Sequence, residues 1–105
     1  MKKYDVQISE KALNDMEAIY THIAEKLFAP NAAMNQYNRI ADAILSLEKT
    51  PERIKFMDSE PEHSLRIRQM FVDNYSVFFI IKGKIVNIVN VLYSASDISK
   101  RLLEH

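Results

Sequence analysis

The sequence predicts an α+β domain in which an N-terminal helical hairpin packs on one face of an antiparallel sheet, with a short C-terminal helix. Three observations carry this. Apolar residues recur at three- and four-residue steps from Ala12 to Leu47, as they do on the inner faces of two helices. Dense β-branched and aromatic runs follow between Leu65 and Tyr93. The length of 105 residues suits a single core, so residues 1–105 are read as one domain. The element order is strand, helix, helix, strand, strand, strand, helix (β-α-α-β-β-β-α).

Each element has its own signal. Tyr4, Val6 and Ile8 alternate with Lys3, Asp5 and Gln7, the period of a half-buried strand. Ser9 then offers a side-chain oxygen to the unpaired amides of a first helical turn, and Glu10 suits the positive end of its dipole. Ala12, Leu13, Met16, Ile19, Tyr20, Ile23 and Leu27 are expected on the inner face of that helix. Ala29-Pro30-Asn31 interrupts the pattern, and a second helix carries Met34, Tyr37, Ile40, Ala41, Ile44, Leu45 and Leu47 inward until Thr50-Pro51 stops it. Residues 51–64 are irregular and charged. A strand is expected from Leu65, then a two-residue turn at Asp73-Asn74, a strand over 75–81, a turn at Lys82-Gly83-Lys84, and a strand over 85–92. The tail from Ser94 to Leu103 suits a short terminal helix, and Leu103-Glu104-His105 reads as the remnant of an expression tag.

Composition removes several classes of function. A single glycine, Gly83, excludes the glycine-rich phosphate cradles, which need several positions without a Cβ. The absence of cysteine removes disulfides, thiolate metal sites and thiol nucleophiles, and fits a reducing compartment. Fourteen Lys and Arg balance fourteen Asp and Glu, which argues against clamping long nucleic acid as the main activity. No apolar run reaches the roughly 18 residues of a membrane span, and the first residues lack the apolar block of a signal peptide. A cytoplasmic protein is expected. The three histidines, His22, His63 and His105, have no ligand spacing, so neither metal nor other cofactor is expected.

Arg66 and Arg68 are the residues most suggestive of chemistry. Two positions apart on a strand, they would share one face. Arg53 and Lys55 in the preceding loop could join them, and Tyr93 ends the last strand. Cations and a tyrosine lining one groove could hold a phosphate and assist attack by a ribose hydroxyl. A second reading of the same charges is a solvated edge in which Asp58, Glu60 and Glu62 neutralise them.

Several stretches together resemble a known family. They are Val6-Gln7-Ile8-Ser9 followed by Ala12-Leu13-Asn14-Asp15-Met16, then Ile40-Ala41-Asp42-Ala43-Ile44 through Leu47 and Pro51, and Leu65-Arg66-Ile67-Arg68 through Asn74-Tyr75-Ser76-Val77-Phe78-Phe79. The match closes with Ile88-Val89-Asn90-Val91-Leu92-Tyr93-Ser94-Ala95-Ser96-Asp97-Ile98. In this order the chain resembles the RelE/ParE toxins of bacterial type II toxin–antitoxin systems, proteins of the plasmid-stabilisation type, over residues 4–103. The resemblance implies a RelE/ParE-like fold and a growth-inhibiting toxin held inactive by a cognate antitoxin. Some members cleave mRNA on the ribosome without a metal, whereas the ParE-like branch poisons DNA gyrase. Arg68 stands at the family's strand-start arginine and Tyr93 where many members have histidine. Ser96 replaces a common arginine, and Leu102 replaces the late aromatic of the ribosome-dependent nucleases. Those departures and the neutral charge tilt the expectation toward a gyrase poison or a diverged member. The alternatives are an mRNA endonuclease using Arg68, Tyr93 and Arg66, with Arg53 and Lys55 on the RNA, and a non-toxic interaction module.

The partner expectation rests on the strands. The run 75–81 is apolar on both faces, yet the helical hairpin covers one face and the terminal helix is short. Some of Phe71, Phe78, Ile80, Val86, Ile88 and Leu92 are therefore expected to remain open, with Phe78, Ile80, Ile88 and Leu92 receiving the antitoxin. A homodimer of the free chain is the competing occupant of that face.

Overall fold

The computed structural model describes residues 3–102, so the terminal residues 103–105, read above as a tag remnant, lie outside the described residues. Strand β1 (Asp5–Ile8) leads through Ser9 into helix α1 (Glu10–Thr21), and the Ser9 hydroxyl accepts the Ala12 N–H at 3.0 Å as anticipated. The helix runs on through a wider π turn at His22–Lys26. Helix α2 (Pro30–Leu45) starts on a proline, whose missing N–H would have had no partner there in any case, and ends in a 3-10 turn at Ser46–Glu48. A second 3-10 turn, Pro51–Arg53, opens the irregular segment that precedes strands β2 (Arg68–Val72), β3 (Tyr75–Lys82) and β4 (Ile85–Tyr93) and the short helix α3 (Ile98–Leu102).

The element order is the one the sequence predicts, but the sheet is mixed. Its strand order is β1-β4-β3-β2, antiparallel except that β1 runs parallel to β4. Alternation of side chains reports which face a residue takes and not which way its partner strand runs. The register Val6↔Val86 and Ile8↔Ile88 sets the apolar residues of both strands on the helical side. Past Ile8, the β1 side of β4 has no strand beside it among the described residues. The Asp15 carboxylate of α1 covers this edge instead, accepting the Val91 N–H at 3.0 Å and the Asn90 amide at 2.7 Å. The pairing shifts by one residue between Phe78 and Phe79, which leaves Val89 as the extra residue of a bulge just before these contacts.

The main core lies between the helices and the sheet, where Ala12, Met16, Ile40, Ile44 and Leu47 meet Val77, Phe79, Val86, Ile88 and Val91. Leu13, Leu27, Met34 and Leu45 were expected to join it and are exposed. Leu13, Met34 and Leu45 sit beside the buried stripe, rotated by a residue or so out of it, so the spacing that groups them with the core places them at its margin, whereas Leu27 lies past the end of the π turn.

The second face of the sheet is also closed, against expectation. Phe78 and Leu92 pack with Met57 and Ile67 from the irregular segment, and Ile98 and Leu102 of α3 add to the cover. The segment is held there by the Met57 N–H donating to the Ile67 carbonyl at 2.9 Å and by a bridge between Phe56 and Arg68. Phe78, Ile88 and Leu92, expected as an open antitoxin patch, are buried, as is Val86, and Ile80 is half-buried. Only Phe71 of that set stands well exposed, at 67%. The charged composition of residues 51–64 hid the few apolar side chains that make the segment a lid on the sheet.

A chain with one glycine makes its left-handed turns with other residues. Phe28, Thr50, Arg66 and Asp73 adopt φ of 52°, 49°, 60° and 56°, beside Gly83 at 59°. At the hairpin tip the Ala29 N–H donates to the Ile23 carbonyl at 3.2 Å across Phe28, the position where glycine usually ends a helix. Phe28→Gly should leave stability unchanged or raise it by up to about 1.6 kcal/mol. It removes a Cβ strain of about 1–2 kcal/mol and returns about 0.4–1 kcal/mol of unfolded-chain freedom. A thermal melt of the variant checks this, and a clear loss of stability would mean that the ring is packed.

Candidate functional site

The residues singled out by sequence divide between two ends of the sheet. Arg68 opens β2 opposite Phe79, whereas Tyr93 closes β4 opposite Tyr75. Four residues of β3 therefore separate their levels, about 13 Å at about 3.3 Å per residue, before the width of the strands between them is added.

At the first end, Arg68 is engaged by its own chain. Its Nη1 donates to the Ile54 carbonyl at 2.6 Å and the Glu52 carbonyl at 3.2 Å, and its guanidinium lies 4.0 Å from the centre of the Phe56 ring. Arg53 behaves alike, donating to the Lys49 and Thr50 carbonyls at 2.8 and 3.0 Å and to the Ser46 hydroxyl at 3.1 Å. The Lys55 carbonyl accepts the Gln69 N–H, which places that exposed lysine in the same corner. Tyr4 donates its hydroxyl to the Glu52 carboxylate, and this bond holds the phenol above its ordinary pKa, with desolvation adding to the effect.

Arg66 does not share a strand face with Arg68. It lies in a left-handed turn that ends one residue before Ile67, exposed, with its backbone N–H donating to the His63 carbonyl. The strand begins at Arg68 because the Ile67 side chain is drawn into the second core with Met57 and Phe78. Among the described residues no ion pair joins Asp58 or Glu60 to these arginines. Glu60 accepts the Ser64 N–H, and Glu62 is buried with the Ser59 hydroxyl on its carboxylate. Arg68→Ala should cost about 1–2 kcal/mol in a urea unfolding experiment, by leaving two loop carbonyls without their donor and releasing the segment that covers β3. An unchanged midpoint would mean that the guanidinium holds nothing in place.

The second end carries a groove of about 610 Å³ between α1, the ends of β3 and β4, and α3. Asp15, His22, Tyr75, Tyr93 and Arg101 line it. Tyr93 is 52% exposed and its ring meets Tyr75 edge-on at 5.8 Å, while its carbonyl accepts the Ser96 N–H and hydroxyl. Burial, aided by the neighbouring Tyr93, pushes the Tyr75 phenol up. A cation, an imidazole and two phenols facing one groove can hold an anion and exchange a proton. Tyr93 is the one member that sequence reasoning singled out. Asp15 and His22 stand seven residues apart, two turns on one helix face, and that spacing was the available signal. Nothing in the sequence tied Arg101 to them.

This architecture, two antiparallel helices on a four-stranded sheet with a short closing helix, is that of a class of small toxins. It resembles a chain of the chromosomal ParDE toxin–antitoxin system from P. aeruginosa, with a TM-score of 0.73 and 22% identity over 89% of this chain and 98% of that one. It also resembles a chain of the toxin–antitoxin complex RelBE2 from Mycobacterium tuberculosis (0.61, 16%, covering 87% and 98%). A mutant of E. coli toxin RelE in the free state is similar as well (0.61, 12%, covering 96% and 99%). No curated protein sequence matches the chain. The family of ParE toxins of type II toxin–antitoxin systems, parDE, matches residues 6–98, and the chain belongs to that family. Among the described residues no helix is long and apolar enough to cross a membrane.

Proposed function

We propose that this ParE-family protein inhibits growth by poisoning DNA gyrase and is neutralised by a cognate antitoxin in the cytoplasm. The observation that carries the gyrase reading is the division of the candidate residues. A nuclease built on Arg68, Arg66 and Tyr93 needs them around one phosphate, and about 13 Å of strand keeps the levels of Arg68 and Tyr93 apart. Arg68 and Arg53 are moreover occupied with backbone carbonyls, a task of holding the loop rather than binding RNA. The antitoxin has little to hold at Phe78, Ile88 or Leu92 in this conformation. Exposed apolar side chains that could serve it include Leu13, Met34 and Leu45 on the hairpin and Phe71 on the edge strand.

The mRNA endonuclease reading keeps one support, the groove that sets His22 and Arg101 beside Tyr93. Brief induction in cells separates the two. The gyrase reading expects a DNA-damage response with transcripts intact, and loss of supercoiling activity when purified protein is added to gyrase. Transcripts cut at codon positions on stalled ribosomes, with gyrase unaffected, would overturn it in favour of the groove as a nuclease site. Co-expression with the antitoxin should restore growth in either case.

A further inference from the structure

At the tip of the helical hairpin one residue breaks two local rules together. Phe28 carries a bulky side chain in a left-handed backbone conformation, φ 52°, and leaves that side chain 88% exposed. Leu27 beside it is exposed too, and the π turn His22–Lys26 leads into the pair. Places where local preference fails in this way are those where something outside the fold has determined the residue.

A receptor of matching kind lies on the same hairpin. Glu17, Tyr20 and Thr21 of α1 and Met34 and Tyr37 of α2 line a groove of about 310 Å³. The Tyr20 and Tyr37 rings meet there edge-on at 6.3 Å, and Met34 is 48% exposed. A third ring entering this groove would complete an edge-to-face cluster against two aromatic walls and a thioether. Phe28 does not fill the groove of its own hairpin: it is 88% exposed and is not part of the lining. A projection and a recess on one surface are what a two-fold contact needs, since each copy then supplies its projection to the recess of the other.

We propose that the free chain forms a two-fold dimer in which Phe28 of each copy enters the Tyr20–Met34–Tyr37 groove of the other. Charge supports a second copy as the occupant. Glu17 stands on the wall of the groove and Lys26 stands beside the entering tip, both exposed, and neither has an ion-pair partner among the described residues of its own chain. In the two-fold arrangement the Lys26 of each copy meets the Glu17 of the other, so the pair forms twice, once at each recess. The contact is confined to the hairpin tips, small beside a permanent interface, so the dimer is concentration-dependent. This inference does not depend on the gyrase reading, since its measurements involve neither gyrase nor growth.

Sedimentation of the purified chain over a concentration series tests the proposal. Dimer is expected to form reversibly, and Phe28→Ala should weaken it about tenfold or more, the loss typical of a buried aromatic anchor. Both charge variants, Glu17→Lys and Lys26→Glu, should be monomeric under conditions where the parent dimerises. Mixed in equal amounts they should associate again, because both opposed pairs regain opposite charges. All of these positions are exposed, and unchanged melting curves will show that the variants fold. A chain that stays monomeric throughout, a dimer indifferent to Phe28→Ala, or a charge-variant mixture no better than its components would each overturn the proposal. Loss of antitoxin binding by these variants, from a chain that is monomeric alone, would assign the groove to the antitoxin instead.

Discussion

Replacing Phe78 with Ala is expected to destabilise the protein by about 3–5 kcal/mol, a large part of the ~5–15 kcal/mol that holds a domain of this size together. The ring is fully buried between β3 and the irregular segment, in a cluster with Met57, Ile67 and Leu92. Its removal leaves a cavity that the flanking strands cannot close, and it removes the apolar surface on which Met57 and Ile67 rest. Guanidinium unfolding of the variant measures the loss. A change below about 1 kcal/mol would show that the ring faces an open surface, as the sequence alone suggests, and would return Phe78 to the list of docking residues.

Ile44→Ala should cost about 2–5 kcal/mol. Ile44 sits on the inner face of α2, fully buried in the main core with Met16, Val77 and Phe79. It belongs to the helical stripe Ile40, Ile44 and Leu47, which touches the sheet directly, so its loss opens a void at the contact between the two layers. A neighbouring substitution provides the control. Leu45→Ala changes the next residue, which is exposed, and should alter stability by no more than about 0.5 kcal/mol. Equal effects at both positions would show that the helix is rotated relative to the core.

Much of this fold was legible because its signals are local. The Ser9 cap, the break between the two helices around Ala29-Pro30-Asn31, the Asp73-Asn74 and Gly83 turns and the inner stripe Ile40, Ile44, Leu47 depend on residues a few positions apart, and the structure places them as read. Features that depend on distant partners were not legible. The parallel direction of β1 is determined by its pairing with residues 85–88, and no pattern within Asp5–Ile8 records it. The cover over Phe78 and Leu92 comes from a charged segment whose two buried hydrophobics, Met57 and Ile67, are too sparse to form a periodic signal. Arg66 was placed on a strand because arginine gives no warning of a left-handed turn. The groove at Tyr93 was half legible. Its strand residue was visible, but the helix that brings His22 to it and the short helix that brings Arg101 could be joined to it only in three dimensions.

The parallel pairing of β1 with β4 also bears on how the chain is made. Val6 finds Val86 across 80 intervening steps of sequence, and this pairing completes one side of the main core. Pairings across such separations form late, because closing a long loop precedes any gain from the contact. On the ribosome, the first strand emerges long before the residues it must meet. Throughout that interval Val6 and Ile8, and the helical stripes beside them, have no sheet to pack on. Synthesis therefore passes through a stage at which the hairpin is complete and its apolar face is bare, and emergence of residues 85–88 lets the core close. A folding reaction followed from the denatured state should accordingly place helix formation and the β2–β3–β4 pairings before the capture of β1.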